Sequence, residues 1–198
     1  KVNRYWTFQT SAGDSPTVPV VAFQLSTLEY YDELIKLLEK FSPDQVDKLP
    51  SDREALASSS IKRVIREIHE IFQADPLLVL KLLAELETAK QTASDPDAYD
   101  ALSDLVKMYG GPTSRYINYY GPPRTIKTIP YYQALQIRDG KYEGTPLDVS
   151  GKAVFVGLSE ILLADRKDSF YTVFSRADGL FISGVEIMAS VFANIKED

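Results

Sequence analysis

The chain has 198 residues, of which 44% are hydrophobic and 25% charged, a composition typical of an ordinary folded domain with a substantial core. The 22 basic residues against 28 acidic ones give a net charge of −6, which argues against a nucleic-acid partner, because nonspecific phosphate binding needs clustered Lys and Arg. There is no cysteine and one histidine, so disulfides, thiolate metal sites, cysteine nucleophiles and histidine-based zinc sites are not expected.

The ends of the chain carry no membrane or targeting signal. The sequence has no run of 18 or more apolar residues, and its first residues lack the charged-then-apolar pattern of a signal peptide. Lys1 stands where an initiator Met would be. We therefore expect the chain to be a fragment of a larger protein whose membrane or targeting segments lie outside it.

The first part of the chain predicts a strand, a turn and a helix. Aromatic and polar residues alternate from Tyr5 to Gln9, which is typical of a strand, and turn-forming residues follow up to Pro16. Apolar residues then recur at helical spacing from Val21 to Leu38, until Ser42 and Pro43 end the pattern.

Residues 43–110 are predicted to form an all-helical insertion. The stretch has no strand candidate, and its length predicts about three helices. Asp75-Pro76 and Asp95-Pro96 are suited to helix starts, since aspartate accepts free backbone N–H groups and proline is tolerated in a first turn. The single histidine, His69, lies beside Glu67 and Glu70, which predicts an exposed or ion-paired side chain.

The remaining residues alternate between strand and helix patterns. Residues 153–157 form an uninterrupted β-prone apolar run, which is typical of a strand buried on both faces. The order predicts a mixed α/β fold, with a mostly parallel central sheet, flanking helices and the helical insertion. Besides 153–157, the predicted elements are strands at 114–120 and 125–129 and helices at 131–137 and 184–195.

Candidate chemistry is sparse. Gly157 follows the predicted central strand and could meet an anion, with Ser159 adding a hydroxyl, but no complete nucleotide-binding motif is present. Ser159 also lacks the setting of a hydrolase nucleophile, because Ile161 stands where the second glycine of the elbow is needed. We expect no catalytic residue.

Carboxylates and tyrosines are candidates for two further kinds of site, a metal site and a ligand pocket. Asp165, Asp168, Asp178 and Glu186 could gather around Mg²⁺ or Ca²⁺, but acidic residues near a helix start also stabilise its positive end, and we predict no metal and no cofactor. The tyrosines could line a ligand pocket or belong to core and rim. They are Tyr116, Tyr119, Tyr120, Tyr131 and Tyr132.

Three stretches in the second half of the chain resemble one known family. Residues 115–126 with 129–135 are similar to its "INYxGP, strand, short helix" segment. Residues 147–159, followed by Asp165, are similar to its "LxGKxVFVG" strand and loop, and residues 184–194 closely resemble its closing "GVEIHANxxAN" helix. The chain is thereby similar to the second type of CHASE domain, a sensory extracellular module associated with bacterial cyclases and histidine kinases. Residues 43–110 and Met188, where the family commonly has histidine, depart from the pattern.

The resemblance implies that residues 1–198 form a single extracytoplasmic sensor domain of a membrane-anchored receptor, and not an enzyme. It would bind an unknown small molecule or protein signal, form a homodimer, and relay the signal to a cyclase, histidine kinase or protein kinase. Three alternatives stay open: an α/β hydrolase-type enzyme, a periplasmic small-molecule-binding protein, and an interaction module built on residues 43–110. If there is a pocket, we expect it at the end of the central strand. The residues expected there are Tyr119, Arg124, Ser159, Asp165 and Glu186.

Overall fold

A computed structural model describes residues 1–91, 95–141, 144, 148–159, 168–175 and 181–197. The chain divides into two compact units. The helical unit comprises Arg4–Ile117 and Val191–Asp198, and the loop-rich unit comprises Lys1–Asn3 and Asn118–Ser190. Among the described residues, no helix is both long and apolar enough to cross a membrane.

Helices dominate the described structure. Asp95 begins α7 as predicted, because its carboxylate accepts a hydrogen bond from the backbone N–H of Ala98 and Pro96 occupies the first turn. The helices are α1 (Val18–Ser26), α2 (Tyr31–Phe41), α3 (Pro43–Val46), α4 (Arg53–Ala57), α5 (Ile61–Ala74), α6 (Leu78–Lys90), α7 (Pro96–Gly110), α8 (Tyr131–Arg138) and α9 (Gly184–Glu197).

The strands are short and pair in antiparallel fashion. Within the described residues, β1 pairs with β4, β2 with β3, and β5 with β6, all antiparallel. The prediction of mixed helix and strand is therefore confirmed, whereas the mostly parallel central sheet is not what these residues form. The strands are β1 (Arg4–Trp6), β2 (Phe8–Gln9), β3 (Ser15–Pro16), β4 (Ser114–Tyr116), β5 (Ser169–Phe170) and β6 (Ile182–Ser183).

The prediction of a central strand at 153–157 is wrong. These residues do not form a strand, and the side chains of Val154 and Val156 are exposed by 62% and 81%. An apolar run becomes a buried strand only when neighbouring strands satisfy its backbone groups and helices cover its faces. Among the described residues it has no strand partner, so composition alone was a misleading signal.

Residues 43–110 are helical, as predicted, in the part that the structure describes, but the predicted number of helices is wrong. Their described part is helical, but it contains α3 to α7 instead of about three helices. Breaks occur where helix-disfavouring residues cluster: Pro50 and Ser51 precede α4, and Asp52 caps α4 by accepting from the N–H of Ala55 at 2.8 Å. The predicted helix from Val21 to Leu38 is likewise divided into α1 and α2 at Thr27, whose Oγ1 donates to the carbonyl of Phe23 at 3.0 Å.

The core of the helical unit lies between α1, α2, α5, α6 and α7. Each of these helices turns one apolar stripe inward, as the 3.6-residue spacing requires. The second half of α9 belongs to the same unit, where Phe192 meets Phe23 edge-on with ring centroids 6.1 Å apart. The largest side chains that are almost fully buried include Phe8, Phe23, Tyr31, Leu34, Leu38, Ile65, Ile68, Leu82, Leu105 and Tyr109.

His69 lies in this core, contrary to its predicted exposure. Its ring is only 2% exposed, stacks on Phe8 with centroids 3.7 Å apart, and has Nδ1 at 3.1 Å from the carbonyl oxygen of Tyr109. Since a carbonyl can only accept, Nδ1 carries the hydrogen. Burial lowers the pKa of His69, while the bond to Tyr109 and the charges of Asp14 and Glu70 act in the opposite direction.

Candidate functional site

Two of the five predicted site residues are in direct contact. The backbone N–H of Arg124 donates a hydrogen bond to Oε1 of Glu186. Both residues belong to the loop-rich unit, although 62 positions separate them in sequence. Glu186 stands in the first turn of α9, so the contact links a loop to the start of the closing helix.

Arg124 occupies a tight turn in an uncommon backbone conformation. The N–H of Thr125 donates to the carbonyl of Pro122 at 3.1 Å, and Arg124 has a φ of 71°. Proline in the second position and a left-handed residue in the third are typical of a type II turn, in which glycine normally fills the third position. A non-glycine residue there costs roughly 1 kcal/mol or more, so the surrounding structure must stabilise it. The hydrogen bond to Glu186 is one such interaction.

Glu186 is a half-buried carboxylate at the start of α9. Burial raises its pKa, while the N–H and the positive charge of Arg124 oppose that rise. Its position in the first turn also places the carboxylate at the positive end of α9. The N–H of Arg124 and the positive end of α9 therefore both favour the charged form of this carboxylate.

The first residues of α9 are crowded on their other side. A Cβ built on Gly184 would collide with the carboxylate of Asp168, and a Cβ on Gly157 would lie 2.8 Å from Cβ of Val185. Only glycine leaves room for these approaches. The loop around Gly157, the carboxylate of Asp168 and the turn at Arg124 therefore all meet the start of α9, which we call the α9 junction.

Tyr119 serves as a structural anchor and is not in this contact. Its hydroxyl donates to the carbonyl of Val2 at 3.0 Å, its ring meets Phe174 edge-on at 6.4 Å, and it is 9% exposed. Burial raises its pKa, which keeps the hydroxyl protonated as a donor. The other predicted tyrosines are exposed: Tyr116 by 67%, Tyr120 by 39%, Tyr131 by 69% and Tyr132 by 59%.

Three further candidate residues are Ser159, Asp165 and Asp178. Ser159 is exposed at the end of the irregular segment that follows Lys152. Asp165 and Asp178 lie outside the described residues. In the described ranges no group of three or more His, Cys, Asp or Glu side chains is arranged to hold a metal ion.

Sequence reasoning did not identify what the α9 junction is made of. It selected Arg124 and Glu186 as part of one site, but it treated Asp168 only as a possible metal ligand or as a charge that stabilises a helix start. The signal that could have revealed the close packing was Gly184 at the first position of the amphipathic helix, since glycine can mark a close approach.

A profile of one protein family matches most of the chain. The family is described as the CHASE2 domain, and the match covers residues 15–198. CHASE2 domains are extracellular sensory domains. The chain therefore belongs to the CHASE2 domain family. Comparisons with curated proteins and with solved structures gave no significant match.

Proposed function

We propose that the chain is the extracytoplasmic signal-input domain of a bacterial transmembrane receptor, which relays a signal to a cyclase or kinase output. The observation that carries this proposal is the CHASE2 match, because it extends over both units and over the full length of the helical stretch at 43–110. The signal is a small molecule or a partner protein, and a homodimer is the expected assembly because such outputs commonly work in pairs.

The α9 junction is the proposed point of response. A ligand that moved the turn at Arg124, or that competed for the carboxylate of Glu186, would free the first turn of α9. An α-helix behaves as a rigid element in many conformational switches, so displacing its first turn can shift or rotate its whole length. The described helix extends from Gly184 to Glu197, which is the direction in which we expect the chain to lead toward an output.

The full parent receptor provides the test. Glu186→Gln keeps the shape of the side chain but removes the charge that Arg124 stabilises, and we expect at least a roughly fivefold change in output activity, the lower end of ordinary allosteric coupling. Glu39→Gln is the matched control, because Glu39 is an exposed glutamate on α2. Output that is the same for wild type, Glu186→Gln and Glu39→Gln would contradict the proposed role of the junction.

A further inference from the structure

A cleft in the helical unit shares no residue with the α9 junction. Its volume is about 340 Å³, which is at the small end of the range for ligand pockets. It opens between the hairpin loop that joins β2 to β3 and the beginning of α5. The lining residues are Ala12, Gly13, Ser15 and Pro16 from the hairpin and Ser60, Lys62, Arg63 and Arg66 from the α5 side.

Three cationic side chains line the cleft in a chain whose net charge is −6. Lys62, Arg63 and Arg66 are exposed and lie within two turns of one helix. No carboxylate is among the lining residues. The cleft thus brings three cations together on an acidic protein, with Asp14 next to Gly13 and Ser15 in sequence and with Glu67 and Glu70 beside the two arginines.

These cations remain available to a ligand. Arg63 meets Glu67 at 3.4 Å and Arg66 meets Glu70 at 3.7 Å, both between neighbouring turns of α5 and with half-exposed arginines. Exposed pairs of this kind contribute about 0.2–1 kcal/mol and rearrange readily. Lys62 forms no ion pair with any other described residue.

The other groups in the cleft are also suited to an anion. Ser15 and Ser60 bring hydroxyl groups, and Gly13, with a φ of 64°, leaves its side of the loop open. The first turn of α5 contains no acidic residue, and Ser60 makes no side-chain cap. Cations at the positive end of a helix are unfavourable there, so a bound anion would relieve that repulsion.

We propose that this cleft binds a small free oxyanion of the phosphate class that carries at least two negative charges. Two arginines offer planar forks of N–H donors that match oxyanion geometry, and Lys62 adds a mobile point charge. The small volume favours a free ligand over the extended contact of a membrane surface. The inference goes beyond the sensor role and does not require it, because the cleft uses neither Arg124 nor Glu186.

Calorimetric titration of the protein with pyrophosphate, at an ionic strength of about 0.15 M to screen nonspecific attraction, tests the proposal. The cleft variant is Lys62→Gln with Arg66→Gln. The control variant is Lys36→Gln with Arg53→Gln, which removes the same charge from exposed positions on α2 and α4. We expect one-to-one binding to wild type and control, and binding at least about tenfold weaker, or about 1.4 kcal/mol, in the cleft variant. Circular dichroism and thermal unfolding check that both variants are folded.

Three results would overturn the inference. They are the absence of pyrophosphate binding to wild type, equal weakening in the cleft and control variants, and binding to vesicles of phosphatidylcholine and phosphatidylserine without binding to pyrophosphate. The last result would indicate a lipid headgroup as the source of the phosphate. None of them bears on receptor output, so failure of this inference and failure of the proposed sensor role can be told apart.

Discussion

At the scale of single residues, His69 is a buried titratable group in the core of the helical unit. Its neighbours Glu67 and Glu70 suggest a polar surface. However, position 69 lies four residues after Ile65 and three before Phe72, both of which are buried, so it falls within the apolar stripe of α5. The stacking partner Phe8 lies 61 positions earlier in the chain and could not be inferred from local spacing.

The buried His69 predicts that the protein is less stable in mild acid. Burial lowers the folded-state pKa below the ordinary value of 6.5, so between these two values the unfolded chain binds a proton that the folded chain does not. This contribution to the free energy of unfolding is present above pH 6.5 and is lost as the pH falls below it. His69→Asn keeps an N–H donor near the Tyr109 carbonyl and cannot titrate. Urea unfolding at about pH 7.5 and 5.5 should show a smaller loss of stability in the variant than in wild type. Equal losses in the two proteins would show that His69 is not the responsible group.

At the scale of elements, the start of α9 shows how a glycine permits a close approach between distant segments. Gly184 is buried, and the carboxylate of Asp168 occupies the space that a side chain would take. Because Asp168 stands beside the positive end of the helix, its charge also favours that end. The closing helix was predicted correctly from its amphipathic spacing at 184–195, but its crowded first turn depends on segments that are distant in sequence.

Gly184→Ala therefore tests this packing. Alanine is the better helix former, so a gain in stability would follow if there were room. We expect instead a loss of about 1–3 kcal/mol in the free energy of unfolding, because the new methyl group displaces Asp168. In the Asp168→Ala background the same change should cost much less. A double-mutant cycle by chemical denaturation measures the difference, and additive effects would rule out the close approach.

Helices whose start signals are local were predicted well, whereas residues 125–129, predicted as a strand, do not form one. Helix α8 follows Pro130, and α7 begins with the Asp95-Pro96 cap, as their sequences indicate. The segment at 153–157 was wrong because a buried strand is defined by its partners, which local composition does not specify. The same limit explains why Arg124 and Glu186 were assigned to one site while their actual hydrogen bond was not foreseen.

At the scale of the whole molecule, the family was easier to predict than the topology. The order of short motifs at 115–135, 147–159 and 184–194 was sufficient to identify the CHASE2 family, and the family match confirms it. The pairing of strands and the division into two units depend on contacts between distant segments. The sequence did not predict the cleft at Lys62, Arg63 and Arg66, because more than forty residues along the chain separate its hairpin side from α5.

The most direct test of the sensor account is the membrane orientation of the chain within its parent protein. The chain has no cysteine, so Lys48→Cys, at an exposed position of the helical unit, introduces a single reactive thiol in a parent protein freed of other cysteines. Intact cells are then treated with a maleimide that does not cross the cytoplasmic membrane. The account predicts that Cys-bearing protein is labelled in intact cells as completely as in disrupted ones. Labelling that occurs only after the cells are disrupted would contradict an extracytoplasmic sensory domain.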